Sequence, residues 1–102
     1  MAIGHGALGE TCIWLSREIE SVRTDLEQDR RRTARTLIRT DELRVVMVAV
    51  REDSGIPEHV ARGPITIHVL DGSMDTYAAG DRTTLGAGML MSLPGGVPHS
   101  RP

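Results

Sequence analysis

From Thr33 onward the chain is a succession of short runs, and a glycine stands at nearly every break between them. Residues 33–39 alternate, with Ala34, Thr36 and Ile38 opposite Arg35, Leu37 and Arg39. Residues 43–50 are rich in Val, Met and Leu and read as a buried strand. Shorter runs follow at 56–60, 65–70, 73–78, 82–85, 89–93 and 97–100, separated by turns that carry Gly55, Gly63, Gly72, Gly80, Gly86, Gly88, Gly95 and Gly96. Strands this short recur at close spacing, with turn residues between them. They indicate an antiparallel sandwich or barrel.

The N-terminal third has a different texture. Leu15, Ile19, Val22 and Leu26 recur at helical steps, and charged residues fill the other face. The spacing predicts one α-helix over residues 12–30. Thr11 is placed to cap it, and Arg30, Arg31 and Arg32 suit the negative end of its dipole. The apolar stripe is expected to pack against the domain or a partner. Gly4, Gly6 and Gly9 predict a frayed start. The organisation expected is a helical extension over residues 1–32 and a single β-domain over residues 33–102.

The chain's 102 residues suffice for one domain with one modest core. Phenylalanine is absent, and Trp14 and Tyr77 are the only aromatic residues. That argues against nucleic-acid modules that stack bases on aromatic platforms. A net charge of −2 provides no basic field for phosphates or membranes. Cys12 is the single cysteine, so no intrachain disulfide forms, which fits a reducing cytosol. No run is long and apolar enough to span a bilayer, and residues 1–15 lack the pattern of a signal peptide. A cytoplasmic protein without nucleic-acid or membrane partners is expected.

The segment Gly88-Met-Leu-Met-Ser-Leu-Pro94-Gly95-Gly96-Val-Pro-His99 has the spacing G-x5-P-x-G-x2-H. It resembles the second motif of the RmlC-like cupin superfamily. The first motif of that superfamily, G-x5-H-x-H-x3,4-E-x6-G, is partly matched by His59 and Gly72. Ala61 stands where the second histidine is expected, Ile65 where the glutamate is expected, and Asp53 where the leading glycine is expected. The runs at 43–50, 56–59 and 63–72 are similar to those of a group of small single-domain cupins. The resemblance covers roughly residues 33–101. It implies a mainly β fold: an antiparallel double-stranded β-helix, or jelly-roll barrel, preceded by one N-terminal helix. It also implies that His59, Ala61, Ile65 and His99 line one pocket.

A nitrogen/oxygen metal site needs three or four converging ligands. The resemblance offers His59 and His99 as ligands for a divalent ion such as Zn, Fe, Mn or Ni, an incomplete set. His68 alternates away from Ile65, so it is expected on the other face. Without an ion, the two imidazoles are a hydrogen-bonded pair in a pocket that has lost its metal, or a pair that moves a proton. Met47, Met74, Met89 and Met91 read as core filler. Ser100 lacks the base and orienter of a nucleophile, and the glycine pairs are turn residues with no following helix.

Two function classes follow. In one, the chain is a small-molecule-binding or sensory cupin with a degenerate metal site. In the other it is a metal-dependent cupin enzyme of dioxygenase, isomerase or decarboxylase type. The departures fall on ligand positions and spare the turns, which favours the first. The short final strand and the apolar stripe of the helix predict a homodimer.

Overall fold

The computed structural model describes residues 2–5, 9–28, 32–52 and 55–101, the first of these segments by its backbone. Gly6, Arg30, Arg31 and Asp53, named above, lie outside the described residues. The chain divides into two compact units, Met1–Ser54 and Gly55–Pro102.

In the first unit β1 (Ala2–His5) pairs antiparallel with β2 (Thr11–Ile13), so the start of the chain is a strand pair where fraying was expected. The β-branched Thr11 and Ile13 belong to that pair, and the helix begins later than its periodicity suggests. Helix α1 spans Leu15–Glu27, and Trp14, not Thr11, is its N-cap. No side chain caps it; the Trp14 carbonyl accepts from Arg17 N and Glu18 N. Its last turn carries no basic residue, and Arg32 opens β3 (Arg32–Arg39).

Strand β3 pairs with β4 (Arg44–Val50), with Arg35 opposite Met47 and a bulge between Thr36 and Ile38. The bulge shifts the alternation, so Leu37 and Ile38 are both half-buried. The helix packs on this hairpin. The face it buries differs from the stripe Leu15, Ile19, Val22 and Leu26. Val22 is buried, Ile19 and Leu26 are half-buried, and Leu15 is exposed. Glu18 takes the place expected of an apolar residue. It is buried and accepts a hydrogen bond from Arg35 Nη1 at 2.9 Å. The same guanidinium donates to Ser21 Oγ at 2.6 Å and to Asp25 Oδ2 at 3.3 Å. Residues 18, 21 and 25 share a helix face, so one arginine of β3 spans nearly two turns of α1.

The second unit holds β5 (Ile56–His59), β6 (Ile65–His68), β7 (Ser73–Ala78), β8 (Asp81–Gly86), β9 (Leu90–Leu93) and β10 (His99–Arg101). They form a four-stranded antiparallel sheet in the order β5-β10-β7-β8, and a separate β6-β9 pair. Val69 extends the second pair, accepting from Gly88 N and donating to Met89 O. The β7–β8 hairpin turns on Ala79 and Gly80, both at positive φ (51° and 83°). That is the backbone of a tight two-residue turn. The apolar core of this unit rests on Val69 and Leu85.

The protein is thus mainly β with one helix among its described residues. From β3 onward the strand boundaries follow the sequence runs closely. No sheet among the described residues closes on itself. No helix among them is long and apolar enough to cross a membrane.

Candidate functional site

The two histidine-bearing segments run antiparallel in one register. His59 pairs with His99 in the β5–β10 ladder, and Ile65 to His68 pair with Leu93 to Leu90 in the β6–β9 ladder. Between the ladders, Gly96 N donates to the Ala61 carbonyl at 2.8 Å. Gly95 lies directly against the backbone of Arg62 and Gly63. The turn after β5 and the turn after β9 therefore meet, and one offset holds from the His59–His99 pair to the His68–Leu90 pair; beyond His99 the register shifts, so that Arg101 pairs with Ile56.

Alternation along this ribbon separates two faces. Ala61, Ile65, Ile67 and Val69 are half-buried or buried, as are Met91, Leu93, Val97 and His99. Thr66, His68, Leu90 and Ser92 are exposed. His68 thus stands on the face opposite Ile65, as its position requires. Met47 is buried and Met74 and Met91 are half-buried, whereas Met89 is exposed and its sulfur accepts from Gly86 N.

The imidazoles of His59 and His99 meet edge to face, with ring centroids 4.0 Å apart and planes at 66°. His99 is buried and His59 is exposed. Each ring is held the same way. His59 Nδ1 lies 3.1 Å from the Pro57 carbonyl oxygen, and His99 Nδ1 lies 3.0 Å from the Val97 carbonyl oxygen. A carbonyl can only accept, so both Nδ1 atoms carry the proton. Each Nε2 is then the nitrogen with a lone pair, for a neutral ring. This arrangement fixes the tautomer of imidazoles that bind a ligand or ion through Nε2.

Ala61 and Ile65 lie further along the same ribbon. Ala61 is tied in through its backbone, and Ile65 sits across from Leu93 at the start of β6. No group of three or more His, Cys, Asp or Glu side chains able to hold a metal exists among the described residues.

Two polar residues escaped the reading of the sequence. Thr76 on β7 is buried, and its hydroxyl has no hydrogen-bond partner among the described residues. Arg101 is half-buried, and its Nη1 is buried without a partner. The signal for Arg101 lay in the sequence: two residues beyond His99 in a strand, it shares that histidine's face. Elsewhere, in the first unit, an open hollow is lined by Leu26, Glu27, Arg51 and Glu52. Arg51 donates there to the Leu26 carbonyl near the end of α1, which suits a basic side chain at a helix C-terminus.

No protein-family model matches the chain, and no curated protein matches it in sequence. Solved structures do match. A conserved protein of unknown function from Streptococcus pyogenes aligns with a TM-score of 0.65 at 22% identity, over 72% of this chain and 64% of that one. KdgF from a Halomonas species aligns with a TM-score of 0.63 at 18% identity, over 70% of this chain and 66% of that one. The chain spans just under two thirds of the length of each. At these identities the likeness bears on the fold alone, and KdgF has a cupin fold. The mainly β fold of this chain is cupin-like.

Proposed function

We propose that the chain is a small cupin that binds a small molecule beside His59 and His99, its strands arranged as the jelly roll of that family. The observation that carries this reading is the histidine pair. Two rings in contact each spend Nδ1 on a backbone carbonyl and keep Nε2 for something else. In this reading His59, Ala61, Ile65 and His99 line the cavity. Ala61 and Ile65 supply an apolar wall, and the imidazoles fix the polar end of the ligand.

A resident divalent ion does not fit the donor set. The oriented Nε2 atoms would be two ligands, but positions 61 and 65 carry Ala and Ile, and no third donor joins them among the described residues. Two imidazoles fall short of the three or four ligands of a closed or catalytic site. The binding class is therefore favoured over the metal-dependent enzyme.

The division into an extension over residues 1–32 and a barrel over residues 33–102 belongs to the same proposal. So does a homodimer, since the β3–β4 pair has open edges among the described residues and exposes Val46 and Val48. Sedimentation at micromolar concentration checks it, and a monomer at every concentration removes it.

The test of function is a ligand-observed NMR screen with neutral and charged fragments, followed by the ring C–H signals of His59 and His99. Binders that shift both rings, and fail to bind His99→Ala, are expected. Binders that leave both rings unmoved sink the reading. Stoichiometric Zn, Fe, Mn or Ni in protein purified without added metal shifts it to the enzyme class.

A further inference from the structure

The register of the four-stranded sheet places a second polar cluster on the face that carries the histidines. His99 pairs with Ala78, and Ser100 with Tyr77. Continued by one residue, that register sets Arg101 level with Thr76; the register shift between His99 and Arg101 puts its extra residue on β5, which takes three steps from His59 to Ile56 against two on β10, so the alternation of β10 is kept. Side chains paired across antiparallel strands share a face, and the faces alternate along each strand. His59, His99, Ala78, Thr76 and Arg101 therefore stand on one side of β5, β10 and β7.

Two atoms of that cluster are unusual. Thr76 is only 2% exposed, and its Oγ1 has no partner among the described residues. The buried Nη1 of Arg101 has none either, so these two atoms do not satisfy each other. A guanidinium keeps its charge at any ordinary pH. Burying one of its N–H groups, or a hydroxyl, without an acceptor is costly. Asp81 pairs with Ala78 and so shares this face, but it is exposed at the hairpin turn and makes no ion pair with Arg101. Asp75 is occupied on the other face by Thr84 Oγ1 and Arg82.

We infer that this face is an anion subsite for a small carboxylate, with the Arg101 guanidinium and the Thr76 hydroxyl as its donors. The inference rests on the small-molecule reading above and names the ligand class. A carboxylate offers two oxygens in one plane, which match a guanidinium N–H and a neighbouring hydroxyl. It carries a single charge, balanced by the one guanidinium on this face. A phosphate dianion would need a second cation there. Ala78 beside the cluster, and Ala61 and Ile65 along the ribbon, are the apolar side chains that would meet an apolar body attached to the acid group. Either His Nε2 then accepts from a hydroxyl or N–H of the same molecule.

The experiment is an NMR titration of isotope-labelled protein at constant ionic strength with acetate, benzoate, benzamide and inorganic phosphate. The readouts are the Arg101 Nε–H signal and the ring C–H signals of His59 and His99. Benzoate is expected to give a saturable shift of Arg101 and His99, and neutral benzamide none at Arg101. Arg101→Met should weaken benzoate binding about tenfold or more, as loss of a charged hydrogen-bond donor does. Arg101→Lys should lose less, and Thr76→Val should weaken binding severalfold; these two variants keep the test open if Arg101→Met does not fold. The inference is overturned if neither carboxylate shifts Arg101, if folded Arg101→Met binds benzoate as well as the parent protein, or if phosphate binds more tightly than benzoate. Benzamide shifting the histidine rings as strongly as benzoate would overturn it too, while leaving the small-molecule reading intact. Benzoate shifting Arg101 without moving either ring would uphold the subsite and remove the histidine pocket.

Discussion

A Cβ built on Gly95 would stand 2.5 Å from the carbonyl oxygen of Arg62 and 2.9 Å from the backbone of Gly63. Neither neighbour is a flexible side-chain tip, so the backbone itself must move. Gly96 differs: its φ is +80°, and the space beside it is open. Gly95→Ala is expected to cost ~1–3 kcal/mol, as overpacking does. Gly96→Ala is expected to cost ~1 kcal/mol through its left-handed backbone alone. Urea unfolding of both variants measures the order. Equal stabilities for Gly95→Ala and the parent would mean that the two turns do not meet.

The β7–β8 hairpin contains an avoidable strain. Ala79 has φ 51°, a conformation that costs an L-residue with a Cβ roughly 1–2 kcal/mol. Asparagine and glycine tolerate it far better. Ala79→Asn and Ala79→Gly should each raise the melting temperature, with a gain of about 1 kcal/mol. Gly80→Ala should lower it. A lower melting temperature for both Ala79 variants would rule out this turn geometry.

Much of the β architecture was legible because short strands announce themselves by what ends them. The run at 73–78 and the strand Ser73–Ala78 coincide, since Gly72 and the Ala79–Gly80 turn bound it. The histidine pair was legible only through the motif spacing shared with cupins, and its contact is a property of the β5–β10 register. The inner face of α1 was misjudged because hydrophobic periodicity assumes that buried means apolar. Glu18 is buried beside a cation seventeen residues away, and nothing local in the sequence marks Arg35 as that cation. Thr76 was missed for a related reason, whereas Arg101 was marked by its place two residues beyond His99. Ordinary polar residues on strands become conspicuous only once their partners can be counted.

The Arg35 cluster makes a measurable distinction between its two carboxylates. The Glu18 side chain is 8% exposed, against 30% for Asp25 and 34% for Arg35. Arg35→Met removes the guanidinium from a buried carboxylate and should cost about 2 kcal/mol, below the full buried-pair value because Arg35 is partly solvated. Asp25→Asn should cost less than about 1 kcal/mol. The double variant Glu18→Leu with Arg35→Met should recover much of the loss, since a packed apolar pair can replace an ionic one. Chemical denaturation of the set decides it. An Asp25→Asn loss as large as that of Arg35→Met would place the main charge contact in the wrong helical turn.

The alignment of the first histidine motif is open to a gain-of-function test. If positions 61 and 65 are where the family's second histidine and glutamate belong, Ala61→His with Ile65→Glu should complete a ligand set around His59 and His99. Both positions flank the contact between the two turns, Ala61 through its bond from Gly96 and Ile65 opposite Leu93. The new carboxylate replaces a half-buried isoleucine, so the metal-free variant should be less stable by roughly 1–3 kcal/mol. An ion bound to the folded state offsets that loss by mass action. Titration calorimetry with Zn and Ni is expected to show at least about tenfold tighter binding than in the parent, a difference of about 1.4 kcal/mol. Removing His99 from the double variant should abolish the gain. A double variant that folds and binds neither ion better than the parent would mean that residues 61 and 65 do not converge on the histidine pair, and that the pocket must be sought on other residues of β5 and β10.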